Sequence, residues 1–274
     1  MKISSRHVAL VAVFAALYYV LSLISPHIPA VGLSDLKIQL EALIASIFGF
    51  ILGPYLGASA AFLGAFITWM LPPGSFSPYG APFLLSPPLN ALVVGLIFYR
   101  RWKWAFALFS LLILAFLFSP PSQPITGYGK VFNPYNPSET FEMPTYYVPA
   151  AVLWDKVIAL FLIVPSVKFA KRLSTSKNIP ILFFLLAFIG NQADNMWGCN
   201  VFALPIVYES IFGISVEGVR FLFVISPFVY PAIRLIQAVL ATIIAVPLIR
   251  SLKNTEWIIT EKSIIEDKIE KSAS

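Results

Sequence analysis

A chain of 274 residues that is 58% hydrophobic and 12% charged, with a mean hydropathy of +0.83, is too apolar for a soluble domain and has lipid as its main solvent. Its 19 Lys and Arg against 13 Asp and Glu leave a net +6, but the cations sit in short clusters between apolar runs, which reads as membrane topology and excludes a nucleic-acid face. A lone cysteine, Cys199, excludes an intrachain disulfide, and His7 and His27 are too far apart to form a ligand cluster, so neither a metal nor a cofactor is expected.

Lys2 and Arg6 precede the first apolar run, Val8 to Ile24. No small-x-small cleavage site follows it, so it is expected to be a retained helix and not a cleaved signal. Further apolar segments run from Ile38 to Leu52, Tyr55 to Leu71, Pro87 to Tyr99, Trp104 to Phe118, Val148 to Phe169, Ile179 to Leu204 and Phe221 to Ile249. The fold class is therefore all-α, a polytopic transmembrane bundle of about eight spans, although several segments fall short of the roughly 20 residues of a perpendicular span.

If the segments alternate, Lys2 and Arg6, then Arg100, Arg101 and Lys103, then Lys168, Lys171, Arg172 and Lys177, and finally Arg250 and Lys253 share one side. The positive-inside rule makes that side cytoplasmic, with both termini on it, in a multi-pass protein of the cell membrane. Residues 1–253 then form a single transmembrane domain and 254–274 a charged cytoplasmic tail, with isoleucines at helical spacing. Residues 119–147 form an extracytoplasmic loop whose prolines and aromatics favour extended or turn structure, either as a lid or as a packed surface loop. In the last segment Pro227 and Pro231 predict a kinked or interfacial lead-in, with the span proper starting near Phe228.

Charged and amide side chains inside a bilayer are costly and mark function by default. Here Asp155 and Lys156, Asp194 and Asn195, Arg234 and Gln237, and Asn90 with Glu41 all fall in the outer halves of their segments. The inner halves read VIALFLIVP, ILFFLLAFI, VLATIIAVPLI and ASIFGFIL and offer a polar solute no route inward. The densest element is GNQADNMWGCN, Gly190 to Asn200, with Asn191, Gln192, Asp194, Asn195 and Asn200 on several helix faces. The pattern describes a cup open outward in which Asp155, Lys156, Asn191, Asp194, Asn195, Arg234, Gln237 and Asn90 bind a small polar solute and Trp154 and Trp197 wall it. The competing account has Asp155 and Asp194 only neutralising Lys156 and Arg234 while the amides join helices.

Small residues add a second pattern: Ala9, Ala12 and Ala16 stripe the first helix, and Gly57, Ala61 and Ala65 the third, for which close packing within the bundle is the ordinary explanation. The stretch AVFAALYYVLSLI, a proline-containing loop and LEALIASIFGFILGPYLGASAAFLGAFI together resemble the opening of energy-coupling factor (ECF) transporter S components, as YPAIRLIQAVLATIIAVPLIRSL resembles their last helix. Ala12 and Ala16 match the family's Ala-x-x-x-Ala motif, and Gly53, Pro54, Gly57 and Ala58 its Gly-Pro-x-x-Gly-Ala turn. The resemblance implies a six-helix core, here with an extra hairpin around Arg100 to Lys103, that captures a vitamin-like solute and docks through Ala12 and Ala16 on a transmembrane T subunit working with two ATPase subunits.

No Gly-x-x-x-x-Gly-Lys-Ser/Thr occurs, so ATP use would belong to partners. An intramembrane enzyme with Asp155 and Asp194 as a carboxylate pair is the first alternative; Gly-x-Ser-Gly, His-Glu-x-x-His and Gly-x-Gly-Asp are all missing from the sequence. An autonomous secondary transporter is the second, and it would require a polar inner route or discontinuous helices. Besides the solute and the partner subunits, the bilayer is the expected surrounding, and no nucleic acid is expected.

Overall fold

The computed structural model describes residues 5–24, 28–30, 33–38, 41–72, 74–133, 136, 140–168 and 178–252. The tail 254–274 and the cluster Lys171, Arg172 and Lys177 lie outside the described residues. The chain is mostly helical: α1 (Ser5–Ile24), α2 (Ala45–Leu52), α3 (Pro54–Met70), α4 (Ser86–Phe98), α5 (Trp102–Leu117), α6 (Tyr147–Lys168), α7 (Ile179–Phe202), α8 (Pro205–Tyr208), α9 (Val216–Ile225) and α10 (Val229–Leu252). Each of the eight predicted apolar segments contains a helix. The stretches Ser5–Ile24, Ala81–Phe98, Tyr147–Lys168, Ile179–Phe202 and Val229–Ser251 are long and apolar enough to cross a membrane, whereas Pro54–Met70 and Trp102–Leu117 are shorter apolar helices and α2 has 8 residues.

Local sequence explains the breaks. Gly53 sits at φ +83°, a backbone angle open to glycine, and Pro54, which needs no N–H partner, starts α3 directly after it. The last predicted segment divides where Pro227 falls, between α9 and α10. Ser215 accepts the Gly218 N–H at 3.3 Å and caps α9. Backbone hydrogen bonding and the Ser215 hydroxyl hold the Glu217 carboxyl in that first turn below its ordinary pKa, helped by Arg220 and Lys130.

The core forms around α4, which packs on α2, α3 and α7, while α10 packs on α7 and α2. Close approach is built from glycine. A Cβ on Gly95 would lie 2.5 Å from the Pro54 backbone, and one on Gly64 2.5 Å from Tyr18 Cβ. The α3 stripe Gly57, Ala61 and Ala65 is buried in this packing, as expected. The α1 stripe is not: α1 turns Leu10, Ala15, Tyr18 and Ser22 inward and leaves Ala9, Ala12 and Ala16 exposed. Packing within the bundle accounts for one stripe only.

The all-α reading omits two short antiparallel hairpins, β1 (Ile28–Ala30) with β2 (Leu33–Ile38) and β3 (Tyr128–Phe132) with β4 (Thr140–Pro144). The second arises in the proline-rich loop, where β-formers pair Val131 with Phe141 and opposite charges pair Lys130 with Glu142. Arg220 of α9, 9% exposed, pins this loop from below. Its Nε donates to the Pro121 carbonyl at 3.1 Å, Nη1 to Lys130 at 3.3 Å and Nη2 to Gln123 at 2.8 Å. These bonds hold the described part of the loop against α9. Arg220→Gln is expected to lose about 2 to 4 kcal/mol of local stability, read as faster amide hydrogen exchange over 128–132; unchanged protection there would refute the clamp.

Candidate solute site

Helix α7 begins with apolar residues, Leu182, Phe183, Leu186 and Ile189 all buried, and turns polar at Gly190. Residues three, four and seven apart share a helix face, so GNQADNMWGCN divides into two sides. Gly190, Asn191, Asp194 and Trp197 lie on one, and Gln192, Asn195 and Cys199 on the other.

The first side meets α4 and α10. A Cβ on Gly190 would lie 2.6 Å from Val94 Cγ2 and collide with the Asn90 carboxamide, so glycine is what admits Asn90 here. A hydrogen-bond relay follows. Ser46 Oγ donates to Asn90 Oδ1 at 2.8 Å, Asn90 Nδ2 to Asn191 Oδ1 at 2.8 Å, and Asn191 Nδ2 to the Arg234 carbonyl at 3.4 Å. Arg234 Nη2 lies 3.3 Å from Asp194 Oδ1, and its Nη1 donates to Gln237 Oε1 at 2.8 Å. Four elements, α2, α4, α7 and α10, thereby place Ser46, Asn90, Asn191, Asp194, Arg234 and Gln237 in one buried network.

The second side meets α6. Cys199 donates its thiol to Asn195 Oδ1 at 3.7 Å and lies within electrostatic reach of Lys156 and Asp155, and more weakly of Arg234 and Asp194. The Asp155 and Lys156 pair is closed on itself: Lys156 Nζ is 2.9 Å from Oδ1 and 3.1 Å from Oδ2, and the Lys156 N–H donates to Oδ1 at 3.0 Å. Asp155 is thus paired with Lys156, and Asp194 with Arg234.

Among the described residues, the buried polar atoms without a partner are Gln192 Oε1 and Nε2, Asp194 Oδ2, Trp197 Nε1 and Arg234 Nε. Each left unmatched costs about 1 to 3 kcal/mol, and they are concentrated on α7 and its neighbour Arg234. By helix rise Asp155 and Asp194 lie about 12 Å inside the ends of α6 and α7 that border Tyr147 and Phe202.

Two tryptophans differ. Trp197 is half-buried beside Asp194. Trp154 faces away from Asp155: its Nε1 donates to the Pro227 carbonyl at 2.9 Å, its ring meets Phe228 at 5.9 Å, and it lines an apolar groove of about 330 Å³ with Tyr147, Ala150, Ala151, Val224, Pro227 and Phe228. Asn200 joins helices, donating to the Leu112 and Met196 carbonyls at 2.9 and 3.0 Å. Sequence reasoning passed over Ser46, hidden in an apolar run, and kept Gln192 out of the binding set although it lies inside the amide-rich motif.

Fold and site describe a polytopic membrane protein with its polar groups gathered toward one end of an apolar bundle. Residues 2–118 match the family model described as ECF-type riboflavin transporter, S component. The match bears out the resemblance drawn from the opening motifs over that part of the chain, less than half of it. No curated protein and no solved structure matches the chain.

Proposed function

We propose that this protein is the substrate-binding subunit of an ECF-type uptake transporter, capturing a small polar, vitamin-like solute at the Asp194 and Arg234 network. The observation that carries the reading is the unpartnered set Asp194 Oδ2, Arg234 Nε and Trp197 Nε1 beside a relay that is otherwise satisfied. The ion pair sums to zero charge, which suits an uncharged or zwitterionic solute. Riboflavin, which the matched family takes by its description, is the first to test. The helices that supply Asn191, Asp194, Trp197, Arg234 and Gln237 lie beyond the matched residues, so the solute is read by a part of the chain the match does not cover.

In this reading both termini are cytoplasmic, the network opens outward in the cell membrane, and transport depends on a T subunit and two ATPase subunits. The exposure of Ala12 and Ala16 supports their role as the partner face. The test is purification from native membranes with mass spectrometry of bound small molecules, repeated for Arg234→Ala and Ala16→Leu. A solute present in the wild type and in Ala16→Leu, absent in Arg234→Ala, with uptake lost in both variants, supports the reading; an empty wild type that also fails to bind added riboflavin rejects riboflavin capture.

A further inference from the structure

The end of the bundle that holds Arg6 gathers cations on the turn between α4 and α5. Thr68 Oγ1 donates to Ser22 Oγ at 3.3 Å and Gly64 abuts Tyr18, so α1 and α3 run parallel and Tyr55, at the start of α3, lies at the same end as Arg6. Gly95 meets Pro54, so α4 returns to that end and turns there into α5. The turn presents Arg100, Arg101 and Lys103, all exposed. No Asp or Glu occurs from 42 to 138 and none in α1, so no acid on these helices neutralises them.

The backbone of this turn favours glycine and carries an arginine. The Arg101 N–H donates to the Leu96 carbonyl at 2.7 Å and the Arg100 N–H to the Ile97 carbonyl at 3.1 Å, which closes α4 in a Schellman motif. Arg100 occupies its left-handed position at φ +62°, where glycine is the usual residue because a Cβ crowds the backbone. The neighbouring guanidinium is steered across to α3: Arg101 Nη1 donates to the Tyr55 hydroxyl at 3.2 Å, and Arg101 Cζ lies 6.0 Å from the centre of the Tyr55 ring. From this turn α5 continues with Trp104, Leu111 and Leu114 on one face, 71%, 62% and 51% exposed.

We propose that the α4–α5 turn binds the headgroup of an anionic phospholipid in the leaflet on the Arg6 side, with Arg100 and Arg101 on the phosphate, Lys103 beside them and an acyl chain along Trp104, Leu111 and Leu114. Two exposed guanidinium groups without an acid partner call for a phosphate, which they bind through paired, charge-assisted hydrogen bonds. The apolar face that continues from them selects a lipid over a soluble phosphate, because only a lipid offers both chemistries on one molecule. Tyr55 and Trp104 add the polar-tipped rings that settle at headgroup level. This site requires a chain that spans a bilayer and is independent of the solute captured.

The experiment titrates the purified full chain in neutral detergent with dioleoyl phosphatidylglycerol or dioleoyl phosphatidylcholine, counts bound lipid by native mass spectrometry and records the thermal midpoint of every variant. Phosphatidylglycerol is expected to bind about tenfold more tightly than phosphatidylcholine, and Arg100→Gly and Arg101→Gln should each weaken it about fivefold, the effect of one surface cation on an anionic headgroup. Arg100→Gly places glycine at the left-handed position, so its thermal midpoint should hold or rise while lipid is lost, which separates binding from folding. Lys168→Gln, which removes an exposed cation at the end of α6, should bind as the wild type does. Equal binding of the two lipids overturns the site, as does unweakened binding in either arginine variant. An equal loss in Lys168→Gln also overturns it, since the attraction then belongs to the whole basic end. If glycerol phosphate at the same concentration displaces the lipid, the ligand is a soluble phosphate and the lipid assignment fails. Riboflavin affinity measured on the same variants reports solute capture separately, so failure of one reading leaves the other standing.

Discussion

Asp194→Ala is expected to lower riboflavin affinity by about 100-fold or more and to reduce the thermal midpoint as well, two losses with different origins. The stability loss follows from burial: the Arg234 side chain is 11% exposed and Asp194 5%, so removing one partner strands the other in an apolar bundle, at about 3 to 5 kcal/mol. The affinity loss follows from Oδ2, the acceptor that the fold leaves unmatched. The double variant Asp194→Leu with Arg234→Met separates the two. Replacing a buried ion pair with apolar residues of similar size is often neutral for stability, so the double variant should recover the thermal midpoint and remain unable to bind riboflavin. A double variant that binds as the wild type does would show that the pair holds helices together and reads nothing.

The bundle was legible because its signals are one-dimensional. Apolar run length, cation clusters and the positions of Pro54, Pro87 and Pro227 place the helix starts and breaks without reference to any neighbour. The break before α10 followed from proline's missing N–H alone. What was not legible depends on which face a helix turns where. Asp155 and Asp194 have the same depth and chemistry, so a sequence reading collects them in one cup; only the side-chain geometry shows that Asp155 pairs with Lys156 and Asp194 with Arg234. Trp154 and Asp155 are adjacent in sequence yet point about 100° apart, which sends the indole to the groove and the carboxylate inward. The hairpin β3–β4 was half legible: its prolines ruled out helix, but the Arg220 clamp that settles its packing comes from α9, with bonds spanning 90 to 99 residues. Ala12 and Gly57 look alike as members of small-residue stripes, and only exposure tells a free face from a filled one.

Glycine substitutions on either side of α4 should distinguish scaffold from site. A Cβ on Gly49 would lie 2.9 Å from the Ala91 carbonyl carbon and 3.0 Å from its Cα, all backbone, so Gly49→Ala must push α2 and α4 apart along their whole seam. Overpacking of this kind costs about 1 to 3 kcal/mol and more where backbone is the obstacle, and the expected result is a strongly lowered thermal midpoint or no folded protein. At Gly190 the obstacles are the ends of two side chains, the Asn90 carboxamide and Val94 Cγ2. Those side chains can rotate, so Gly190→Ala should keep most of the stability, but turning Asn90 aside breaks its bonds to Ser46 and Asn191 and frees the support of the Arg234 carbonyl. Thermal midpoints measured beside riboflavin affinity should therefore rank the variants oppositely: Gly49→Ala worse in stability, Gly190→Ala worse in binding for each degree lost. If both variants lose binding only in proportion to stability, the relay through Asn90 is packing and has no part in shaping the solute site.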